Sequence, residues 1–125
     1  MVLRPTLLVI DDDRATREML RALFKELNVV VATNGRDALT MLNEQPPTII
    51  IVDLLLGGNI SGLDIVEMLR TADETCHIPL VGISAALWRG ERGRRFVDLI
   101  DAYFDKPYDL RKMHDTVLSL LGASV

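Results

Sequence analysis

Two kinds of apolar segment alternate along this chain, and the alternation limits the possible folds more than any other feature of the sequence. The first kind is a short, nearly continuous apolar run, rich in valine and isoleucine and bounded by polar or turn residues. Such runs are typical of strands that are buried on both faces of a parallel sheet. The five runs are Leu7–Ile10, Val29–Ala32, Ile49–Val52, Leu80–Ile83 and the weaker Ala102–Phe104.

The second kind of segment is longer and repeats its apolar residues at helical spacing. Five such segments are predicted: Met19 to Leu27, Arg36–Asn43, Leu63–Thr71, one within Ala86–Ile100, and Leu110 to Leu121. The fourth is the least regular, because Gly90 and Gly93 each lower helix propensity by about 1 kcal/mol relative to alanine. Strands and helices in alternation predict an α/β fold, with a doubly wound, five-stranded parallel sheet flanked by five helices.

Length and composition narrow the class of protein further. A chain of 125 residues has room for one domain of ordinary size, so we expect a single domain over residues 1–125 with no output domain. The net charge of −4 gives no electrostatic reason to bind nucleic acid or an anionic membrane directly. The single cysteine excludes an internal disulfide, and the start of the chain lacks the apolar region of a signal peptide. We therefore expect a cytoplasmic protein.

Polar side chains follow four of the five predicted strands. The first apolar run leads into Asp11–Asp13, the third into Asp53 and the fourth into Ser84, while Lys106 follows closely after the fifth. In an open parallel sheet, ligands bind in the crevice outside the carboxyl ends of the strands. We expect these side chains to converge at that edge of the sheet.

The chemistry of this set favours phosphoryl transfer. Carboxylates brought close together repel one another unless a cation lies among them, and Mg²⁺ prefers hard oxygen ligands and bridges carboxylates to phosphate. A lysine and a hydroxyl group nearby supply positive charge and a hydrogen bond for phosphoryl oxygens. A carboxylate can itself be the nucleophile and form an acyl phosphate.

Each residue taken alone also has a structural explanation. Asp13 is predicted to be the N-cap of the first helix, and capping or turn formation explains Asp11 and Asp12 equally well. Ser84 or Lys106 alone would be structural or solvated in most proteins. The whole set at the correct strand ends is hard to attribute to chance.

Four ordered segments resemble the response regulator receiver family of two-component signalling, including its chemotaxis-regulator-like members. They are Leu7–Asp13, Ile49–Asp53, Pro79–Ala85 and Tyr103–Tyr108, which look like the acidic-pair strand, the phosphoacceptor strand, the Ser/Thr-Ala strand and the Lys-Pro-aromatic segment. The resemblance covers essentially the whole chain. It implies a flavodoxin-like fold with strand order 2-1-3-4-5.

The resemblance also implies a role for each matching residue. Asp53 would accept a phosphoryl group from the phosphohistidine of a histidine kinase or histidine phosphotransfer protein. Lys106 would pair with Asp53 and then with its phosphoryl oxygens, to which Ser84 would donate a hydrogen bond. The protein would thus be a regulatory phosphoacceptor that assists its own phosphorylation and dephosphorylation, and not an enzyme with a separate substrate.

A magnesium site and a switch follow from the same resemblance. Asp12, Asp53 and the backbone carbonyl of Leu55 would bind Mg²⁺ directly, while Asp11 would act mainly through water. Ser84 and Tyr103 would form the switch that passes phosphorylation to the face made by the fourth helix, fifth strand and fifth helix. An unidentified downstream protein would bind that face.

Further expectations concern single residues at the edges of this machinery. Pro107 would follow a cis peptide bond, which X–Pro linkages tolerate. Trp88 would report the switch by fluorescence. Leu55 and Ala86, two places after the acceptor and the hydroxyl residue, cannot orient an attacking water, which predicts slow self-dephosphorylation. Cys76 is expected to be a small buried residue.

The sequence departs from the family pattern in two places. The family usually has a Met-Pro pair and then a glycine after the acceptor, whereas Leu54–Gly62 has glycine for the proline and one residue extra. We expect a longer and looser loop there. The fourth helix carries an unusual group of arginines, which form either a solvated face or a contact surface for an acidic partner: Arg89, Arg92, Arg94 and Arg95.

Two other functions are compatible with parts of the sequence. A haloacid-dehalogenase-like phosphohydrolase also uses an aspartate nucleophile, in an Asp-x-Asp motif that Asp11 and Asp13 could mimic. Asp53 would then have no role, the acidic motif usual after the lysine is absent, and 125 residues leave little room for substrate recognition. The second alternative is a phosphorylation-independent adaptor with a receiver fold. Such adaptors commonly lose an acidic residue, the acceptor or the lysine, and none of these is missing here.

Overall fold

The computed structural model describes residues 4–85 and 90–123. Strands and helices alternate through these residues as the apolar pattern predicts. The strands are β1 (Thr6–Ile10), β2 (Asn28–Ala32), β3 (Ile49–Asp53), β4 (Leu80–Ser84) and β5 (Ala102–Asp105). The helices are α1 (Arg14–Leu23), α2 (Gly35–Glu44), α3 (Gly62–Thr71), α4 (Gly90–Leu99) and α5 (Leu110–Ala123). The predictions made for Ala86, Trp88 and Arg89 lie outside the described residues.

All five strands belong to one parallel sheet in the order β2-β1-β3-β4-β5, which confirms the predicted fold. Successive strands run outward from β1 in one direction and from β3 in the other. The strand order therefore reverses between β1 and β3, and a crevice opens beyond their carboxyl ends. Asp11 follows β1 directly and Asp53 is the last residue of β3, so both lie at this crevice.

Helices cover both faces of the sheet and divide the core in two. On one face, α2, α3 and α4 bury side chains such as Leu42, Val66 and Phe96 against alternate residues of the central strands. On the other face, α1 and α5 bury Leu20 and Val117 against the remaining residues of those strands. This two-sided burial explains why the central runs are continuously apolar.

The prediction that every strand is buried on both faces is wrong for the two outer strands. β1, β3 and β4 are buried almost throughout, whereas most residues of β2 and β5 are only half-buried. An edge strand has a neighbour on one side only, and so the helices cover it less completely. One single-residue expectation is also wrong, because Cys76 is exposed.

Side-chain caps explain where two of the helices begin. Asn34 accepts a hydrogen bond from the amide of Asp37 at 2.9 Å, so α2 starts at Gly35, one residue before the prediction. A reciprocal capping box between Ser61 and Asp64 starts α3 at Gly62. Asp13 occupies the predicted N-cap position of α1. Its carboxylate accepts a hydrogen bond from the hydroxyl of Thr16 instead of from a backbone amide.

The fourth helix forms despite its two glycines, because tertiary contacts hold it. Phe96 is fully buried and lies against Gly82 of β4, where a Cβ atom would overlap the aromatic ring. Arg92 donates to the hydroxyl oxygen of Ser61 at 3.0 Å, and Arg95 pairs with Glu67 at 3.1 Å. These two arginines therefore contact α3 and its cap.

None of the helices in the described part of the chain combines the length and apolar character needed to span a membrane.

Candidate functional site

Three carboxylates meet at the carboxyl edge of the sheet, as the strand ends predict. Oxygen atoms of Asp11, Asp12 and Asp53 all lie within 4.8 Å of one another. Asp11 is fully buried and Asp53 is only 4% exposed, whereas Asp12 is open to solvent. The sequence places them there because β1 and β3 are neighbours that end at the same level.

Lys106 joins the two buried carboxylates. Its ammonium group donates to Asp11 Oδ2 at 2.8 Å and to Asp53 Oδ2 at 3.0 Å. The backbone amide of Lys106 donates to the carbonyl of Ser84 at 2.8 Å, which fixes the lysine beside the end of β4. The peptide bond between Lys106 and Pro107 is cis, as predicted. The expected pairing with Asp53 is therefore present, and Asp11 shares the same lysine.

Burial and charge oppose each other at this lysine bridge. Burial raises the pKa of Asp53, and the neighbouring Asp11 carboxylate adds to this, although the Leu55 amide and Lys106 act in the opposite direction. Burial alone would lower the pKa of Lys106, but the hydrogen bonds and charges of Asp11 and Asp53 outweigh it, so the lysine pKa is raised. The site therefore has more negative charge than its one ammonium group neutralises.

Backbone amides hold one oxygen of each carboxylate. The amide of Asp13 donates to Asp11 Oδ1 at 2.8 Å, and the amide of Leu55 donates to Asp53 Oδ1 at 2.9 Å. The amide of Gly57 donates to Asp12 Oδ2 at 3.1 Å. The last two donors belong to the loop after Asp53, for which the sequence predicted looseness.

Two glycines shape that loop further. Gly58 has a φ of +92°, a conformation that side chains with a Cβ rarely adopt. Gly62 packs directly on the backbone of Asp53, where a Cβ atom would overlap the carbonyl oxygen. The loop is thus held at Asp53, at Asp12 of the carboxylate cluster and at the start of α3.

Ser84 and Tyr103, the predicted switch pair, lie on the neighbouring strands β4 and β5. Ser84 is fully buried at the end of β4. The hydroxyl group of Tyr103 donates to Asp105 at 2.9 Å. Burial and the Asp105 carboxylate raise the pKa of Tyr103 to about 12, while a hydrogen bond with the Ser84 side chain opposes this rise. The two hydroxyl groups are therefore in contact.

Tyr108 is a site residue whose hydroxyl the sequence reasoning did not single out. Its hydroxyl oxygen is buried and has no hydrogen-bond partner within residues 4–85 and 90–123. Burial raises its pKa to about 12; Lys106 acts against this rise, and the site carboxylates add to it. Tyr108 and Lys106 also line a cavity of about 580 Å³ between α1 and the start of α5. Only its position two residues after Lys106 could have pointed to it.

The carboxylate cluster fits a small divalent cation. Mg²⁺ binds oxygen ligands at about 2 Å in octahedral geometry, so two of its ligands lie about 3 to 4 Å apart. The three carboxylates lie within 4.8 Å of one another, and modest side-chain movement brings them to that spacing. Because Lys106 lies on one side of the cluster, a cation can approach from the other side, at Asp12, which is the exposed member of the cluster.

The fold and the site define an α/β domain with an acidic, lysine-bridged cluster at the carboxyl edge of a 2-1-3-4-5 sheet. The sequence pattern of the family described as "Response regulator receiver domain" matches residues 7–118. The chain belongs to this family, and it is a receiver domain of two-component signalling.

Individual relatives agree with this assignment. The chain is 27% identical over 119 residues to the polar-differentiation response regulator DivK of Brucella anthropi, covering 94% of this chain and 96% of that protein. The receiver domain of a Syntrophus aciditrophicus signal transduction histidine kinase has the same fold, with a TM-score of 0.86, 22% identity and coverage of 95% and 91%. The receiver domain of the Francisella response regulator 1452 superposes with a TM-score of 0.83, 24% identity and coverage of 97% and 99%.

Proposed function

We propose that this receiver domain is a phosphoacceptor in a two-component phosphorelay, with Asp53 as the acceptor. The donor is the phosphohistidine of a histidine kinase or a histidine phosphotransfer protein. A carboxylate oxygen of Asp53 forms the bond to phosphorus as the P–N bond to the imidazole breaks. The ring nitrogen keeps the electron pair and takes up a proton. The observation that carries this proposal is the buried Asp53 carboxylate held between Lys106 and two further carboxylates.

Each neighbour of Asp53 has a part in this transfer. The ammonium group of Lys106 lies 3.0 Å from Asp53 and neutralises charge on the incoming phosphoryl oxygens. Asp12, Asp53 and the backbone carbonyl of Leu55 would hold Mg²⁺, and Asp11 would act on the ion mainly through water. When bound, Mg²⁺ supplies charge neutralisation between the carboxylates and the phosphoryl group.

The output of the transfer is a change at the face formed by α4, β5 and α5. The buried hydroxyl of Ser84 moves to hydrogen-bond the new phosphoryl group, and Tyr103 follows because it is in contact with Ser84. Tyr103 belongs to β5, so its movement changes the surface offered to a downstream protein. The proposed setting is the cytoplasm.

Intact-mass measurement tests the acceptor. With Mg²⁺ and a small phosphodonor, the wild-type protein should gain one phosphoryl group that is lost under alkaline conditions, as acyl phosphates are. Asp53→Asn should gain none, whereas Asp98→Asn, at an exposed carboxylate on α4, should match the wild type. Undiminished labelling of Asp53→Asn would overturn the proposal.

A further inference from the structure

The three carboxylates of the site are held with unequal strength. Asp11 and Asp53 each accept one hydrogen bond from a backbone amide and one from Lys106. Asp12 accepts from the Gly57 amide alone, at 3.1 Å, among the partners that the described ranges 4–85 and 90–123 offer. It is also the only exposed member of the cluster. One contact therefore determines where the carboxylate of Asp12 lies.

That contact matters because a metal ligand must lie in one place. An exposed aspartate without a partner samples several rotamers, and only some of them bring its oxygen near Asp53. Ordering such a side chain opposes metal binding, unless a hydrogen bond has already ordered it. A carboxylate has about four lone-pair sites, so accepting the Gly57 amide leaves Asp12 with enough capacity to bind a cation.

The residue type at position 57 suits this task. The contact requires a backbone N–H, which every residue except proline has. Glycine also leaves room at this contact: a Cβ atom here would lie 3.3 Å from Asp12 Oδ2, so alanine at position 57 would need that carboxylate to yield by only a few tenths of an ångström. The neighbouring Gly58, with its φ of +92°, turns the loop at this point. The same loop also carries the Leu55 amide to Asp53, so one loop sets the positions of two carboxylates.

We infer that Gly57 is a positioning residue of the metal site, whose amide orients Asp12 toward the cation that it shares with Asp53. The inference rests on the proposed function in one respect, namely that the cation is Mg²⁺. It extends that function by assigning part of the metal affinity to the loop after the acceptor, where this chain departs from its family.

A Mg²⁺ titration of the whole unphosphorylated chain, followed by NMR of the backbone amides, tests the inference without relying on phosphorylation. Gly57→Pro removes the N–H, and we expect it to raise the dissociation constant for Mg²⁺ by about tenfold. Gly57→Ala keeps the N–H and is the matched control, for which we expect a change of about threefold or less. An equal loss in both variants, or none in Gly57→Pro, would overturn the inference.

The outcome for the wild type separates the two proposals. A wild-type protein that binds no Mg²⁺ would overturn the metal part of the proposed function and the inference with it. If the wild type and Gly57→Pro bind Mg²⁺ with the same affinity, only the inference is overturned and the proposed function stands.

A second measurement does not depend on the folding of Gly57→Pro. Hydrogen exchange at the Gly57 amide should be slower in the metal-free wild type than in Asp12→Ala, because only the wild type offers the carboxylate acceptor. Equal exchange at Gly57 in the two proteins would overturn the inference.

Discussion

The two ends of the sheet differ in how their charged side chains are paired. At the amino end, one arginine makes four hydrogen bonds: Arg70 donates to the carbonyls of Leu99, Cys76 and Ile78 and to the carboxylate of Asp101, at 2.7 to 2.9 Å. At the carboxyl end, three carboxylates share one lysine. The charge at the amino end is paired within the fold, whereas the carboxyl end carries more negative charge than Lys106 neutralises, and the proposed Mg²⁺ would supply the missing positive charge. The amino end therefore has the character of a structural hydrogen-bond cluster, and the carboxyl end that of a binding site.

The amino-end arginine should contribute more to stability than any residue of the site. Replacing Arg70 with methionine removes the donor shared by three carbonyls and by Asp101, which keeps the Leu80 amide, so we expect the free energy of unfolding to fall by about 3 kcal/mol. Phosphorylation of the folded protein should be unchanged. Urea denaturation measures the loss, with Arg94→Met at an exposed arginine of α4 as the control. Equal losses of unfolding free energy in Arg70→Met and Arg94→Met would contradict a special stabilising role for Arg70.

The carboxyl-end lysine should contribute less, and its loss should depend on Mg²⁺. Lys106→Met leaves Asp11 and Asp53 facing each other without a cation, which should lower the free energy of unfolding by about 2 kcal/mol in the absence of metal. Added Mg²⁺ should recover part of this loss, because a second cation replaces the first. No such recovery is expected for Arg70→Met. If Mg²⁺ stabilised both variants alike, the contrast between the two ends would fail.

Removing the Asp53 carboxylate from the carboxyl end of the sheet should stabilise the protein, by an amount that depends on pH. The pKa of Asp53 is raised, mainly by burial, so the folded state disfavours its ionised form. Stability of the wild type therefore falls as pH rises through that raised pKa, and Asp53→Asn escapes this cost. The gain from Asp53→Asn should be present at pH 7 and should vanish on acidification. Unfolding free energies of both proteins across pH measure it, and a gain that is independent of pH would contradict it.

The smallest effect concerns the lifetime of the phosphorylated state. The side chain of Leu55 is 52% exposed, two residues after the proposed acceptor Asp53, and cannot orient a water molecule. Leu55→Asn should speed loss of the phosphoryl group by about threefold to tenfold, because an amide can position the attacking water. Stability should hardly change. The decay of the phosphorylated mass in Mg²⁺ measures this, and unchanged or slower decay would show that position 55 does not control water.

The sequence predicted the fold well because burial on both faces leaves a continuous apolar run. All five predicted strands were found to within one residue at either end. The convergence of Asp11, Asp53 and Lys106 was also predictable, because each follows a strand of one parallel sheet. The incomplete burial of β2 and β5 was not predictable from their composition, since it depends on their place at the edges.

Contacts between distant backbone groups could not be predicted either. The hydrogen bond from Gly57 to Asp12 joins residues 45 positions apart, and neither residue type signals the other. The hydrogen bonds of Arg70 are made mainly to backbone carbonyl groups, which every residue has. Such contacts depend on distances that only the assembled fold sets. The sequence therefore indicated which side chains the site contains, but not what holds them.

The packing of Phe96 on Gly82 has a consequence for how this domain diverges. An aromatic ring lies directly on the backbone of β4, so the spacing between α4 and the sheet equals the thickness of one side chain. A Cβ atom at position 82 would require a smaller side chain at position 96 or a shift of α4 away from the sheet. Positions 82 and 96 should therefore change together among related chains, with a bulkier residue on the strand accompanied by a smaller one on the helix. Position 82 also lies two residues before Ser84, so a change in this pair would alter the spacing of α4 next to this proposed switch residue.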